Sequence, residues 1–268
     1  MELPHGLLLM SQPVMLASDT IEADGVHCPP TNLWSDEPPL ESDFHRDQID
    51  LLIGILRWWW RDRDDAYVSG NLTVYYNQQQ LKSRDFRGPD FFVVLGTEKK
   101  DRRSWVVWDE QGQYPNLILE ILSNSTRQVD KGPKKQLYQN IFRTPDYFWF
   151  DPDTVELQGF HLLDGQYESI QPTEQGWLWS QQLELYLGVN KNKLRFFTSD
   201  GELIPSPEEL AAQEHQRAEQ EHQRAEQERQ RAEQERQRAE QERQRAEQAE
   251  QELEQLRAQM KSRGTEAD

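Results

Sequence analysis

The chain has 268 residues, 35% of them hydrophobic, with strongly negative mean hydropathy, so a medium-sized domain fits and part of the chain lies outside any packed core. Its net charge of −18 argues against a protein that grips nucleic acid through bulk positive charge, although Arg127, Lys131, Lys134 and Lys135 form a local basic cluster. A single cysteine, Cys28, excludes an intrachain disulfide and a cysteine metal cage and fits a reducing cytoplasm; no apolar run approaches the roughly 18 residues of a membrane span.

Residues 1–40 are rich in proline and lack periodicity, which predicts a mostly irregular leader; Leu7–Met10 is too short for the core of a signal peptide. From Asp43 the apolar positions 44, 49, 52, 53, 56, 59 and 60 follow helical spacing, with Ser42 as the N-cap. The triplet Trp58-Trp59-Trp60 reads as core packing plus one exposed ring, with base stacking as the alternative. Ala66 to Tyr76 and FFVVL (91–95) read as strands, and 96–115 as a long connection. Asn116 to Leu122 is a strand and Asp130 to Phe142 a helix, with Pro133 in its first turn. DYFWF (146–150), Val155 to Leu162 and further short runs up to Phe197 are strands of a sheet. Helices mixed with strands give an α/β or α+β class.

From Glu214 to Gln248 a seven-residue unit repeats five times, EHQRAEQ twice and then ERQRAEQ three times. Its residues favour helix, and pairs four apart, such as Arg217 with Glu221, reinforce it. At about 1.5 Å per residue, 208–260 predicts a rod roughly 80 Å long. One alanine per heptad makes a poor coiled-coil seam, firmer only at Leu253, Leu256 and Met260. Both an oligomerisation stalk (a homo-oligomer through 208–260) and a solvated single helix remain open. The domain plan is therefore a leader over 1–40, a folded domain over 41–205, a long charged helix or coiled coil over 206–262 and a disordered end over 263–268.

One residue breaks its local pattern. Glu120 sits in the run NLILEIL, where an ionisable group is costly unless it is paired, protonated or bound to a cation. Asp90 begins the preceding strand, and two carboxylates on adjacent strands suit a hard cation such as Mg²⁺ or Mn²⁺. Asp130, Lys134 and Tyr138 are spaced by four and share one helical face. The plainer alternatives are an edge-exposed glutamate, a solvated Lys134, a structural His45 and a Tyr138 that only fills the core. Lys131 and Lys135 read as solvated or phosphate-facing.

In order, Pro89-Asp90, Leu119 to Ser123, Ser125-Thr126, Asp130, Lys134, Tyr138 and Asp146 to Pro152 resemble the Uma-type endonuclease family, expanded in cyanobacteria, within the PD-(D/E)xK superfamily. The resemblance covers about residues 40–190. It implies a restriction-endonuclease-like mixed central sheet flanked by helices, and Mg²⁺- or Mn²⁺-dependent hydrolysis of phosphodiester bonds in DNA. It also implies Asp90 and Glu120 as the metal-binding acids and the Ile121 backbone carbonyl as a further ligand. The superfamily pattern expects lysine two residues after the second acid, where this chain has Leu122. Relatives carry it on the following helix, at the position of Lys134, which makes Asp90, Glu120 and Lys134 the expected catalytic set. Asp130 is expected to cap that helix and orient Lys134, and His45 is a looser supporting match. Two alternatives differ in class: a catalytically silent nuclease fold that binds partners through its long helix, and a transposon- or defence-associated component active only with a partner.

Overall fold

The computed structural model describes residues 22–23, 26–27, 33–35, 42–77 and 88–264. Most of the leader, with Leu7–Met10 and Cys28, and the terminal residues 265–268 lie outside the described residues. The chain divides into two units, Met1–Ser206 and Pro207–Asp268.

In the first unit, β1 (Glu22–Ala23) and β2 (Val26–His27) form a two-residue antiparallel pair. Helix α1 (Asp43–Trp59) starts at Ser42, whose hydroxyl accepts from the His45 amide. It buries Ile49, Leu52, Ile55 and Leu56, each contributing about 2 kcal/mol by leaving water. The central sheet holds β3 (Ala66–Ser69), β5 (Phe91–Leu95), β7 (Leu117–Ile121), β8 (Asp146–Asp151), β9 (Glu156–Leu163) and β10 (Gln166–Ser169), in the order β10-β9-β8-β7-β5-β3. It is mixed, because β7 and β8 run parallel and every other pair is antiparallel. The crossover from β7 to β8 is helical, as a parallel connection requires.

Three expectations need correction here. Ala66 to Tyr76 is not one strand: the chain turns at Gly70-Asn71, with Asn71 at φ 47°, and β4 (Val74–Tyr75) leaves to pair in parallel with β6 (Trp105–Val106). The connection 96–115 thus contains a strand. The later runs do not join the central sheet either, because β11 (Leu178–Ser180), β12 (Leu185–Asn190) and β13 (Lys193–Phe197) make a separate three-stranded sheet.

Alternation along the central strands gives two cores. Leu117, Leu119 and Ile121 face α1 and the three-stranded sheet, whereas Ile118 and Leu122 face Tyr138, Phe142 and the β4–β6 pair. Mixed sheet and flanking helices match the expected fold class.

The crossover 127–142 is one helical run with alternating geometry: α2 (Arg127–Val129), a π-turn π1 (Asp130–Lys134), α3 (Lys135–Leu137) and a second π-turn π2 (Tyr138–Phe142). It begins one turn before the expected start. The Ser123 hydroxyl accepts from the Ser125 and Thr126 amides, and its carbonyl accepts from the Arg127 amide, so Ser-Asn-Ser-Thr nucleates the helix. Asp130 is therefore not the N-cap, and Pro133 is interior. A proline there lacks the amide that an α-ladder needs, and the widened π-turn accommodates it.

The second unit is α4 (Pro207–Gly264), 58 residues and about 87 Å of helix at 1.5 Å per residue. Its side chains from 211 to 257 are exposed, including Leu253 and Leu256; the Met260 side chain lies outside the described residues. No helix among the described residues is long and apolar enough to cross a membrane.

Candidate active site at the ends of β5 and β7

The register Phe91↔Leu119, continued one pair outward, sets Asp90 opposite Glu120. Phe92 and Ile118 lie on the face toward the crossover, so alternation by two puts both carboxylates on that face. Asp90 also bends across to β7, where its Oδ2 accepts the Ile121 amide at 2.7 Å. Gly70 makes this possible, because a β-carbon there would collide with the Asp90 carbonyl oxygen.

Glu120 is completely buried, and both its oxygens are bound by side chains of the crossover. Lys134 Nζ donates to Oε2 at 3.0 Å and Tyr138 Oη donates to Oε1 at 2.6 Å. Lys134 Nζ also lies 3.0 Å from Asp130 Oδ1 as an ion pair, and that buried oxygen has no hydrogen-bond partner. Tyr147 Oη donates to the Asp130 carbonyl at 2.9 Å and fixes the start of π1.

His45 approaches from the other side of the sheet. Its Nε2 lies 2.7 Å from the Ile121 carbonyl, which can only accept, so this nitrogen carries a proton. Nδ1 contacts the Ser42 hydroxyl at 3.1 Å. The Ile121 peptide is thus held at both ends, by Asp90 on its amide and by His45 on its carbonyl.

Three carboxyl groups, Asp90, Glu120 and Asp130, surround one ammonium group. Burial raises Glu120 to about 8, with Lys134 pulling down and Asp90 and Asp130 pushing up. Burial raises Asp90 as well, opposed by Lys134 and by the Ile121 amide. Burial would lower Lys134, but Glu120, Asp130 and Asp90 outweigh it and hold the amine above its ordinary value. With all four groups ionised the cluster would carry two excess negative charges, which with burial favours the protonated forms of Glu120 and Asp90.

The rest of the basic cluster is engaged elsewhere. Arg127 Nη2 lies 2.9 Å from Asp151 Oδ2; Lys131 and Lys135 place their ammonium groups over the Trp149 and Phe160 rings at 3.6 and 3.3 Å. Of the tryptophan triplet, Trp59 is exposed and its neighbours are half-buried. Tyr138 is buried in the core, as its plainer reading has it, and its hydroxyl also reaches the same carboxylate, for which its interval of four from Lys134 is the signal.

Among the described residues, no group of three or more His, Cys, Asp or Glu is arranged to hold a metal ion as it stands. The chemistry of the site nevertheless suits a hard divalent cation: carboxylate and carbonyl oxygens, a buried oxygen without a hydrogen-bond partner, and an excess charge of the right size.

An uncharacterized protein of Synechocystis sp. strain PCC 6803 is 30% identical over 86 residues, which are 32% of this chain and 42% of the relative. The chain therefore spans less than half the length of the curated relative it matches. A crystal structure of "a putative nuclease belonging to DUF820" from Anabaena variabilis superposes over 57% of this chain and 80% of that one, with 16% identity and a TM-score of 0.41. The model of the Uma2 family, described as "Putative restriction endonuclease", matches residues 33–196, more than half of the chain and the whole of the site, and the chain belongs to that family.

Proposed function

We propose that the chain is an endonuclease that hydrolyses phosphodiester bonds in DNA with the help of Mg²⁺ or Mn²⁺. The observation that carries this reading is the meeting of Asp90, Glu120 and Lys134 at one end of the β5–β7 pair, linked by the 3.0 Å contact between Lys134 and Glu120. Asp90, Glu120 and the Ile121 carbonyl would hold the cation. Bound there, it would supply Lewis acidity at the phosphate and lower the pKa of a coordinated water.

The chain's own groups do the rest. Asp90 and His45 fix the Ile121 peptide so that its carbonyl keeps one direction. Lys134, fastened by Glu120 and Asp130, orients the attacking water or stabilises charge developing on the phosphate. Glu120 and Asp130 are closed to solvent, whereas the Lys134 side chain is 15% exposed and Asp90 half-buried; substrate therefore approaches from the side of Asp90 and Lys134.

The test is cleavage of plasmid, single-stranded DNA and RNA with Mg²⁺ and with Mn²⁺, comparing the wild type with Glu120→Ala and Lys134→Ala. Loss of DNA cleavage in both variants supports the assignment. Cleavage unchanged in both would sink it. The intact set of site residues lends no support of its own to a catalytically silent fold.

A second proposal concerns α4: self-association through Leu253 and Leu256, whose exposure on an otherwise polar helix favours it. Sedimentation of the full chain with and without Leu256→Glu tests it. A wild type that stays monomeric at all concentrations rules it out.

A further inference from the structure

A second cluster of cations lies at the opposite end of β5 from the carboxylates. The outer edge of the sheet is β3, and beside it opens a cavity of about 440 Å³. Its β3 lining runs from Ala66, paired with Leu95, to Ser69, paired with Phe92, so the cavity extends from about 7 to about 17 Å along the sheet from Asp90 at roughly 3.3 Å per residue. β3 and Trp60 line it, with Arg57, Lys99, Lys100 and Arg102 as its cations and Asp101 as its acid.

These cations are not equivalent. Arg102 is neutralised by Glu110 and spends its remaining donors on Thr97 Oγ1 and the carbonyls of Glu98 and Lys100. Its role is to fold the loop 96–102 and hold it in place, aided by the Lys99 amide on the Asp64 carbonyl at 3.1 Å. Lys100 lies 3.8 Å from Glu98. Arg57 and Lys99 differ, because they donate to carbonyls: Val68 O takes Nε and Nη2 of Arg57 at 3.1 and 2.7 Å, and Arg61 O lies 3.4 Å from the Lys99 ammonium. A carbonyl directs a cation without cancelling its charge. In a chain with 48 acidic and 30 basic side chains, two such cations around one cavity form a local inversion of sign.

We propose that this cavity binds a phosphate group carried on a nucleoside. Arg57 and Lys99 contact the phosphate, and Trp60 with β3 covers the nucleoside. The volume lies within the range of small-molecule sites and holds one nucleotide unit. Arg57 is oriented before the ligand arrives, which lowers the entropic cost of binding. The phosphate belongs either to a free mononucleotide or to the 5′ end of a strand. The inference stands apart from the endonuclease reading, because it uses no residue of the carboxylate cluster.

The experiment is calorimetric titration of the full chain with dAMP in the presence of a chelator, so that no cation occupies the other site. Saturable binding is expected, weakened about tenfold or more by Lys99→Glu and by Arg57→Lys and unchanged by Glu120→Gln. Displacement of dAMP by a 5′-phosphorylated single strand, but not by its 5′-hydroxyl counterpart, identifies a strand end as the source; displacement by neither identifies the free nucleotide. The proposal is overturned if the wild type shows no saturable binding at millimolar dAMP, or if Lys99→Glu binds as the wild type does. It is also overturned if inorganic phosphate competes as strongly as dAMP, since the nucleoside would then contribute nothing.

Discussion

The Tyr138 hydroxyl donates a 2.6 Å hydrogen bond to Glu120 Oε1, while Lys134, one turn earlier on the same helical run, holds Oε2. Tyr138 is wholly buried, so its phenol has no water to fall back on, and both partners depend on this bond. The bond favours the ionised carboxylate. Tyr138→Phe is expected to cost about 1–2 kcal/mol of stability and to raise Glu120 further. If the ionised form serves catalysis, the acid limb of the pH–rate profile moves to higher pH. An unmoved profile would mean that Tyr138 only packs.

Glu120 also makes stability depend on pH. Its folded value of about 8 lies above the ordinary 4.5, so the native chain binds an extra proton between these two values. The stability this group contributes is present below about pH 4.5 and is lost as pH rises through about 8. Metal-free Glu120→Gln should therefore show a shallower fall of Tm than the wild type from about pH 5 to 9. Equal slopes in thermal melts would refute the burial-driven shift.

Added divalent cation should act in the opposite sense to that proton. If the cation binds the ionised carboxylates, Mn²⁺ raises Tm more at pH 8 than at pH 6, because protons compete at the lower pH. At about 100 times its Kd the cation adds roughly 2.7 kcal/mol to the wild type. Asp90→Asn should remove most of the increment. A shift identical in that variant would place the cation elsewhere.

Gly70 offers a test of geometry without touching a charged group. A β-carbon there meets the Asp90 carbonyl and lies 2.6 Å from Ile49 Cγ2, so Gly70→Ala should displace Asp90, destabilise by about 1–3 kcal/mol and depress cleavage. Gly54, inside α1 with nothing within 4 Å of its would-be β-carbon, is the control. Gly54→Ala should stabilise by about 0.5–1 kcal/mol and leave cleavage unchanged. Equal effects of the two would remove the steric argument.

The long helix makes its own prediction. Pairs within the helix, such as Arg243 Nε with Glu247 at 3.2 Å, and the Gln237 amide with Glu233 at 3.3 Å, support it without a partner. A peptide spanning 207–252, which leaves out Leu253 and Leu256, should have circular dichroism that is helical and independent of concentration. Helicity that rises with concentration would show that the alanine stripe does associate.

Much of the site is legible in the residue pattern because it depends on periods. Glu120 breaks a strand of period two, and Asp130, Lys134 and Tyr138 recur at a helical interval, so the register of two elements brings them together. What escaped the pattern depends on local competition and distant packing. The Ser123 hydroxyl starts the crossover early, which turns Asp130 from a cap into a buried partner of Lys134. The break at Gly70-Asn71 carries a turn signal in its Ser-Gly-Asn sequence that the β-rich residues on either side obscured, whereas the separate β11–β13 sheet follows from packing on α1 and has no signature along the chain.

The π-turns around Pro133 bear on how this chain tolerates insertion and deletion. Four residues overshoot a 3.6-residue α-turn by about 0.4 of a residue, so three groups at intervals of four drift around a regular helix; a wider turn absorbs that drift and keeps Asp130, Lys134 and Tyr138 in one column. A π-turn is in effect one extra residue within a helix. Removing a residue between 130 and 134 would turn the π-turn into an ordinary α-turn and leave Lys134 three residues, about 300°, from Asp130, some 60° short of the same column. The crossover is therefore a segment whose length, as well as its composition, is constrained by the chemistry at Glu120.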